Sequence, residues 1–498
     1  MTNTPEKSDG LVVPVKSPNE AGSPPAEEVT EGRSPAKGNM EEQTATRTQS
    51  RIIVPDALDR VHEAAQKDRQ RQFTALLHHV TIYRLRQAYV SLKRDAAAGV
   101  DGVTWIAYGQ GLEARLQDLH VRIHRGTYRA KPSRRVYIPK SDGRERPLGI
   151  ATLEDKLVQR AIVEVLNAIY EVDFLGFSYG FRPGRNQHQA LDALATAIAR
   201  RKVNWVLDAD IRDFFNAIDH GWMVKFVEHR IADKRVVRLI QKWLAAGVLE
   251  NGKWSSTEQG TPQGATVSPL LANVYLHYVF DLWVQQWRKQ SARGEVYIVR
   301  YADDLALGFQ YESDAVRFRT ALQQRLQRFG LELHPDKTRL LCFGSFAERD
   351  RCAQGKGKPE TFDFLGFTHI CGRSRRGKFL LIRRTSKKRM RARLKAIREG
   401  LLKQRHLPVD KQGRRLGAVV RGYFAYHAVP TNMHRLSSFR TEVLRAWRHA
   451  LRRRGQRAPV TWQRLSRLGR RWLPTPRVLH PYPWDRFADR TQGGSRVR

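Results

Sequence analysis

Tyr301-Ala302-Asp303-Asp304 sets two adjacent acids between apolar flanks, Val296 to Val299 before them and Leu305 to Phe309 after. Each flank is rich in Val, Ile, Leu and aromatics, the composition of short β-strands. The spacing predicts a hairpin whose tight turn is Tyr301 to Asp304, with both carboxylates lifted to its tip. Unpaired charge beside buried apolar strands is costly, so the pair predicts a compensating divalent cation. Asp oxygens facing a phosphate-bearing substrate favour Mg²⁺.

A second acidic stretch, Val206-Leu207-Asp208-Ala209-Asp210-Ile211, begins as a strand, and period-two alternation puts Asp208 and Asp210 on one face. A two-metal polymerase site needs such a third carboxylate on a neighbouring strand. Two cations about 4 Å apart can then activate a 3′-oxygen and stabilise the leaving pyrophosphate. Asp210 is the candidate. Asp213 and Asp219 follow in the turn beyond, where Asp213 also reads as a helix-start residue and Asp219 as a helix cap.

The 498 residues carry 89 Lys+Arg against 49 Asp+Glu, a formal charge of +40. Charge of this size implies a polyanionic partner, through counterion release from a phosphate backbone. The excess is uneven. Residues 1–50 hold 5 basic and 8 acidic residues, whereas residues 372–498 hold 36 basic and 5 acidic, mostly Arg. Arg suits bidentate and stacked contacts with phosphates and bases, which favours nucleic acid over membrane. No apolar run approaches the ~20 residues of a membrane span, and the N-terminus lacks the apolar core of a secretory signal. Cys342, Cys352 and Cys371 are odd in number and form no CxxC. They fit a reducing cytosol and read as small buried residues.

Residues 1–50 are rich in Pro, Ser, Glu, Thr and Gly with no aromatics, and are expected to be disordered. Helical patterns run from Val54 to Tyr128, including Phe73 to Val80 and Leu85 to Lys93. Arg134 to Pro147 reads as a β-hairpin around Lys140-Ser-Asp-Gly-Arg, and Leu153 to Ile169 as an amphipathic helix. Ser313 to Phe329 is helical, Phe362 to Phe367 strand-like, and Ser386 to Trp472 predominantly helical and Arg-rich. Mixed elements flanked by helices predict an α+β core with a helical appendage.

Eight motifs stand in order: Lys140 to Ile150, Tyr179 to Arg185, Asp208 to His220, Gly260 to Leu270, Tyr301 to Asp304, His334 to Thr338, Phe364 to Phe367, and Arg421 to His427. In this the chain resembles a bacterial group II intron reverse transcriptase/maturase, over nearly everything from Phe73 onward. The resemblance implies a right-hand polymerase with an antiparallel palm sheet. It divides the chain into a helical fingers extension (51–133), fingers and palm (134–372), a helical thumb or maturase domain (373–450) and a basic DNA-binding segment (451–498).

The resemblance also implies roles. Asp210, Asp303 and Asp304 would hold two Mg²⁺ ions, with Asp210 and Asp303 the principal ligands. Lys140 and Arg146 would sit over the incoming triphosphate, offsetting charge in phosphoryl transfer. Phe215 would lie beneath the sugar, leaving no room for a 2′-hydroxyl. Gln263 and Gly264 would approach the template–nucleotide pair closely, and Lys337 the nucleotide phosphates or primer end. Of Phe214 and Phe215, one is expected in the core. Arg421, Tyr423, Arg448 and Arg452 would meet structured RNA, with the aromatics of this region inward and the arginines outward.

The implied activity is Mg²⁺-dependent synthesis of DNA on an RNA template from dNTPs, with assistance to intron RNA splicing and mobility. The implied partners are the intron RNA, a DNA target and a primer; the implied place is the bacterial cytoplasm, on the nucleoid when acting on DNA. Monomer and homodimer both remain open. Asn216, Ala265 and Leu305 depart from the family pattern without removing a proposed ligand. The C-terminal part shows no Cys/His metal-ligand spacing, so no second-strand nuclease is expected, and the primer would come from elsewhere, such as a nascent strand. Two other readings are a splicing-only RNA-binding maturase and a reverse transcriptase recruited to a cellular or defence role.

Overall fold

The computed structural model describes residues 57–139, 145–250, 252–256, 259–261, 264–454 and 460–484. Lys140 and Gln263 lie outside them. The first helices are α1 (Ala57–Lys67), α2 (Ile82–Ser91) and α3 (Leu112–His124). Strands β1 (Ser133–Pro139) and β2 (Glu145–Ile150) then form the expected antiparallel hairpin. Helix α4 (Leu153–Asp173) follows, its N-terminus capped by the Thr152 hydroxyl, with Leu157, Ala161, Val165 and Ile169 buried along one face. Helix α5 (Gln187–Arg200) starts at a reciprocal Asn186–Gln189 capping box.

After β3 (Trp205–Asp210) come α6 (His220–Glu228), α7 (Lys234–Ala245), β4 (Val248–Glu250) and β5 (Lys253–Ser255). Helices α8 (Ser268–Leu276) and α9 (Leu282–Gln290) are one run interrupted by a π turn over His277–Asp281. Strands β6 (Val296–Tyr301) and β7 (Asp304–Phe309) are followed by α10 (Glu312–Gln327), β8 (Arg339–Cys342), β9 (Phe362–Phe364), β10 (Phe367–Arg373) and β11 (Phe379–Thr385). The C-terminal helices are α11 (Lys387–Lys403), α12 (Val409–His427), α13 (Met433–Arg452) and α14 (Trp462–Trp472).

The palm sheet has the order β6-β7-β3-β8, antiparallel throughout. Its strands are apolar on both faces because both are covered. Leu207, Ala209, Ile298, Leu305 and Leu307 enter the large core with α4, α8 and α10. The alternate residues Val206, Val299 and Ala306 join Ala190, Leu194 and Ile198 of α5 in a second core. Asp208 and Asp210 share parity with Val206, so they emerge on the α5 side near the strand end. The fingers sheet has the order β2-β1-β4-β5, with β1 and β4 parallel. The third sheet, β11-β10-β9, runs through the expected boundary at residue 372, and the C-terminal helical body begins at Lys387. That body has its own core of Leu394, Val420, Phe439 and Trp447. The fold is α+β, a right-hand polymerase with a helical C-terminal region.

Local expectations differ in four places. Phe73 to Val80 is not a continuous helix. Phe73 bridges to Ile231, and the Asp233 carboxylate accepts from the amides of Leu76 and Leu77 at 2.8 and 3.0 Å, so only a short 3₁₀ turn remains. The Phe362 to Phe367 strand is two strands joined by Leu365-Gly366, both at positive φ (45° and 80°), the mirror-turn pattern that reverses a hairpin in two residues. Tyr301 pairs directly with Asp304, so the turn there is only Ala302-Asp303 and Asp304 opens β7. The three cysteines are unbridged, but Cys352 is exposed and the others only half-buried.

Candidate active site

The register of β3 on β7 places Asp210 opposite Asp304, and the Ala302-Asp303 turn sets Asp303 beside them. Opposed residues of an antiparallel pair direct their side chains to the same face. Asp304 is exposed, whereas Asp210 and Asp303 are half-buried. Burial holds the Asp303 carboxyl above its ordinary range, and the nearby Asp210 charge adds to that, while Arg146 and Lys337 pull the other way. Two residues back, Asp208 is pushed up to about 6 by burial, against the Arg339 guanidinium 3.6 Å away, with Asp363 and Asp210 adding repulsion. Crowded carboxylates that resist ionising together are a wall short of positive charge.

Lys337 supplies part of it. Its Nζ lies 2.5 Å from Asp210 Oδ2. The His334 to Thr338 turn that carries it is fixed to the end of β3, the His334 amide donating to the Asp210 carbonyl at 2.8 Å. The donor set is all oxygen and hard, which fits a divalent cation completed by phosphate oxygens. Among the described residues no three Asp, Glu, His or Cys side chains enclose an ion by themselves.

The expected split of Phe214 and Phe215 is visible. Phe214 is core, whereas Phe215 is half-buried and borders the cleft, the rings meeting edge to face at 5.4 Å. The Phe215 carbonyl accepts from the Thr261 amide at 2.8 Å. A side chain on Gly260 would come within 2.9 Å of that carbonyl, and one on Gly264 (φ 111°) within 2.7 Å of the Gly149 carbonyl. The glycines thus allow close approach at two points, Gly260 to the Phe215 turn and Gly264 to β2. Arg146, opposite Ile138 on β2, lines the same cleft as Phe215, Gly264 and Tyr301.

That cleft, ≈ 3880 Å³, runs from β2 across the palm to α11 and α12. It is several times the size of a small-molecule site. Its far wall includes Lys387, Lys388, Arg391 and Lys395 of α11, which sequence reasoning did not single out. The signal was there: these cations alternate with Met390, Leu394 and Ile397, the buried stripe of an amphipathic helix.

The four residues expected at RNA fare unequally. Arg421 and Arg452 are exposed. Tyr423 is 8 % exposed and its ring stacks on Phe439 with centroids 3.6 Å apart, so it is chiefly a core residue. Arg448 is engaged within the fold, its Nε donating to the Val460 carbonyl at 3.0 Å and its guanidinium lying over the Trp462 ring.

Residues 138–369 match the family described as reverse transcriptase (RNA-dependent DNA polymerase). The chain is 35% identical over 284 residues to Protein YkfC of Escherichia coli, covering 50% of this chain and 74% of that protein. It is 36% identical over 240 residues to the group II intron-encoded protein LtrA of Lactococcus lactis, covering 47% of this chain and 39% of LtrA. Nuclear intron maturase 2 of Arabidopsis thaliana is 27% identical over 110 residues, 21% of this chain and 15% of that one. The chain thus spans well under half of LtrA and of the maturase, and most of YkfC. With its palm register, its three aspartates and these likenesses, the chain belongs to the group II intron reverse transcriptase/maturase family.

Proposed function

We propose that this protein copies RNA into DNA from dNTPs at the Asp210–Asp303–Asp304 corner, and that it binds a group II intron RNA to support its splicing and mobility on a DNA target. One observation carries the polymerase reading. Aspartates from two distant segments are brought into register at one end of the palm sheet, next to Tyr301, which lines a cleft of ≈ 3880 Å³. Asp210 and Asp303 would hold two Mg²⁺ ions, with Asp304 at the rim. When bound, the ions supply Lewis-acid activation of the primer 3′-hydroxyl and charge stabilisation at the triphosphate.

The chain's own residues do the rest. Arg146, together with Lys140, offsets phosphate charge from the β1–β2 side. Lys337 balances Asp210 and can reach a phosphate placed beside it. Phe215 floors the sugar site, and Gly264 with Gln263 keeps the template side open to close approach. The cations of α11 follow the backbone of a bound duplex, where A-form RNA is recognised by shape and phosphate. For intron RNA, Arg421 and Arg452 point outward and suit contact. Tyr423 and Arg448 are better placed to hold α12 and α13 against their neighbours.

We assign fingers and palm to 134–386 with a helical extension at 51–133, the helical thumb to 387–452 and DNA contact to the basic residues beyond it. A bacterial cytoplasmic location suits this reading. Among the described residues no helix is long and apolar enough to cross a membrane. The test is primer extension on an RNA template. Asp303→Ala is expected to abolish dNTP incorporation while RNA affinity stays within about twofold, since the carboxylate takes no part in holding RNA. An active Asp303→Ala enzyme would refute the site.

A further inference from the structure

Behind the carboxylate turn lies a buried polar assembly that takes no direct part in the chemistry above. Ala302 sits at φ 55°, a left-handed conformation that a residue with a Cβ holds only when its surroundings impose it. The Ala302 carbonyl accepts from Arg300 Nη1 at 3.2 Å, and the same nitrogen donates to Asn273 Oδ1 at 3.0 Å. Arg300 also donates through Nε and Nη2 to both oxygens of Asp281, at 2.7 and 2.6 Å. Asn273 Nδ2 in turn donates to the Gly180 carbonyl at 2.7 Å. Arg300, Asp281 and Asn273 are all at most 1 % exposed.

Two features show that the fold is arranged around this assembly. First, Gly180 presses on the turn itself, since a Cβ there would lie 2.3 Å from the Ala302 nitrogen. The flanking backbone is tied as well, the Arg300 amide donating to the Phe177 carbonyl and the Tyr179 amide to the Arg300 carbonyl, both at 2.9 Å. Second, Asn273 and Asp281 lie on the interrupted helix, eight positions apart. In a regular α-helix that spacing turns side chains ~80° from each other. The π turn at His277–Asp281 absorbs one residue and brings the two back to within roughly 20°, so both reach Arg300. His277, 4.0 Å from Asp281, stays neutral because burial and then Arg300 push its pKa down to about 3. Arg300 is therefore the cation that matches Asp281.

We propose that Arg300, gripped by Asp281 and Asn273, is a positioning residue that imposes the strained Ala302-Asp303 turn and so sets the metal-binding geometry of Asp303 against Asp210, with Gly180 as the backstop. The proposal rests on the reading of Asp303 as a metal-holding group. Asn273→Ala tests it in the full chain, because it removes two hydrogen bonds and leaves the Arg300–Asp281 pair intact.

Mn²⁺ binding by the primer–template complex, followed by electron paramagnetic resonance, is expected to weaken by about tenfold, as when a partner that orients a metal-holding group is lost. Extension kcat should fall by on the order of tenfold to a hundredfold, with dNTP KM and primer–template affinity within about twofold. Unchanged Mn²⁺ affinity and kcat would overturn the proposal. So would an equal loss of kcat and primer–template affinity, which would mark general damage. Should Asn273→Ala melt below the assay temperature, Gly180→Ala pushes on the same turn without touching the polar groups and carries the same expectation. Asp303→Ala is the separate control. If it binds Mn²⁺ like wild type, the metal reading itself fails and takes this proposal with it. If it loses Mn²⁺ while Asn273→Ala does not, only the positioning role fails.

Discussion

The palm and the α11 wall of the cleft handle charge in opposite ways. On the palm side, charge is buried and matched: Arg300 with Asp281 at 2.6 Å, Arg230 with Asp173 at 2.9 Å and Arg182 with Glu171 at 3.0 Å, every partner at most 11 % exposed. Breaking a pair of this kind costs about 3–5 kcal/mol, because it strands a charge away from water. On the α11 side, Lys387, Lys388 and Arg391 stand in solvent over an apolar core. The contrast follows from what each wall must do. Chemistry fails when a carboxylate moves by an ångström, so the palm fixes its acids through strand register and buried partners. Backbone binding sums many weak contacts, so the cations of α11 need only be numerous and hydrated.

If the walls divide labour in this way, variants should separate catalysis from binding. The largest effect belongs to Asp210→Ala, expected to lower primer extension by on the order of a thousandfold or more, the worth of several kcal/mol of electrostatic stabilisation. RNA affinity measured by filter binding should stay within about twofold. The converse variant, Lys388→Ala with Arg391→Ala, should make the salt dependence of RNA binding shallower by roughly 1.5–2 in the log–log slope. Its kcat at saturating primer–template should hold, and a fall in kcat would break the comparison. Phe215→Val sharpens the palm side. Discrimination between dNTP and NTP in single-nucleotide incorporation should drop by on the order of tenfold to a hundredfold, the range of a lost steric fit.

The smallest effect is on stability. His277 in the palm, and His369 and His427 where β10 meets α12, are buried and their pKa values are pushed down to about 3, first by burial and then by nearby arginines. With folded values below the unfolded ~6.5, the stabilisation is complete above pH ~6.5 and is lost as pH falls toward 3. At pH 5.5 each contributes a loss on the order of 1 kcal/mol. Thermal melts at pH 7.5 and 5.5 should therefore differ, and His369→Leu should narrow the gap.

What the sequence disclosed depended on the range of the signal. The palm strands were legible because a run such as Val206-Leu-Asp-Ala-Asp carries its own periodicity, and the acids stood out against it. Phe73 to Val80 was misread because its amides are satisfied by Asp233, more than 150 residues away. Tyr423 shows the limit of residue type as evidence. Aromatics beside arginine suit RNA and core equally, and the Tyr423 side chain both stacks on Phe439 and lines the cleft. The Arg300 assembly was invisible for another reason. Asn273, Asp281 and Arg300 converge through a π turn, and no periodicity in the sequence announces that extra residue.

The order β6-β7-β3-β8 has a consequence in time. β3 lies inside the sheet, yet both its neighbours, β7 and β8, come later in the chain. At ribosomal rates of about 5–20 residues per second, β3 waits several seconds with both edges unpaired, apolar and able to recruit another chain. Asp208 and Asp210 sit within that waiting strand. Before they can serve a polymerase, their charges make the nascent segment a poor template for aggregation.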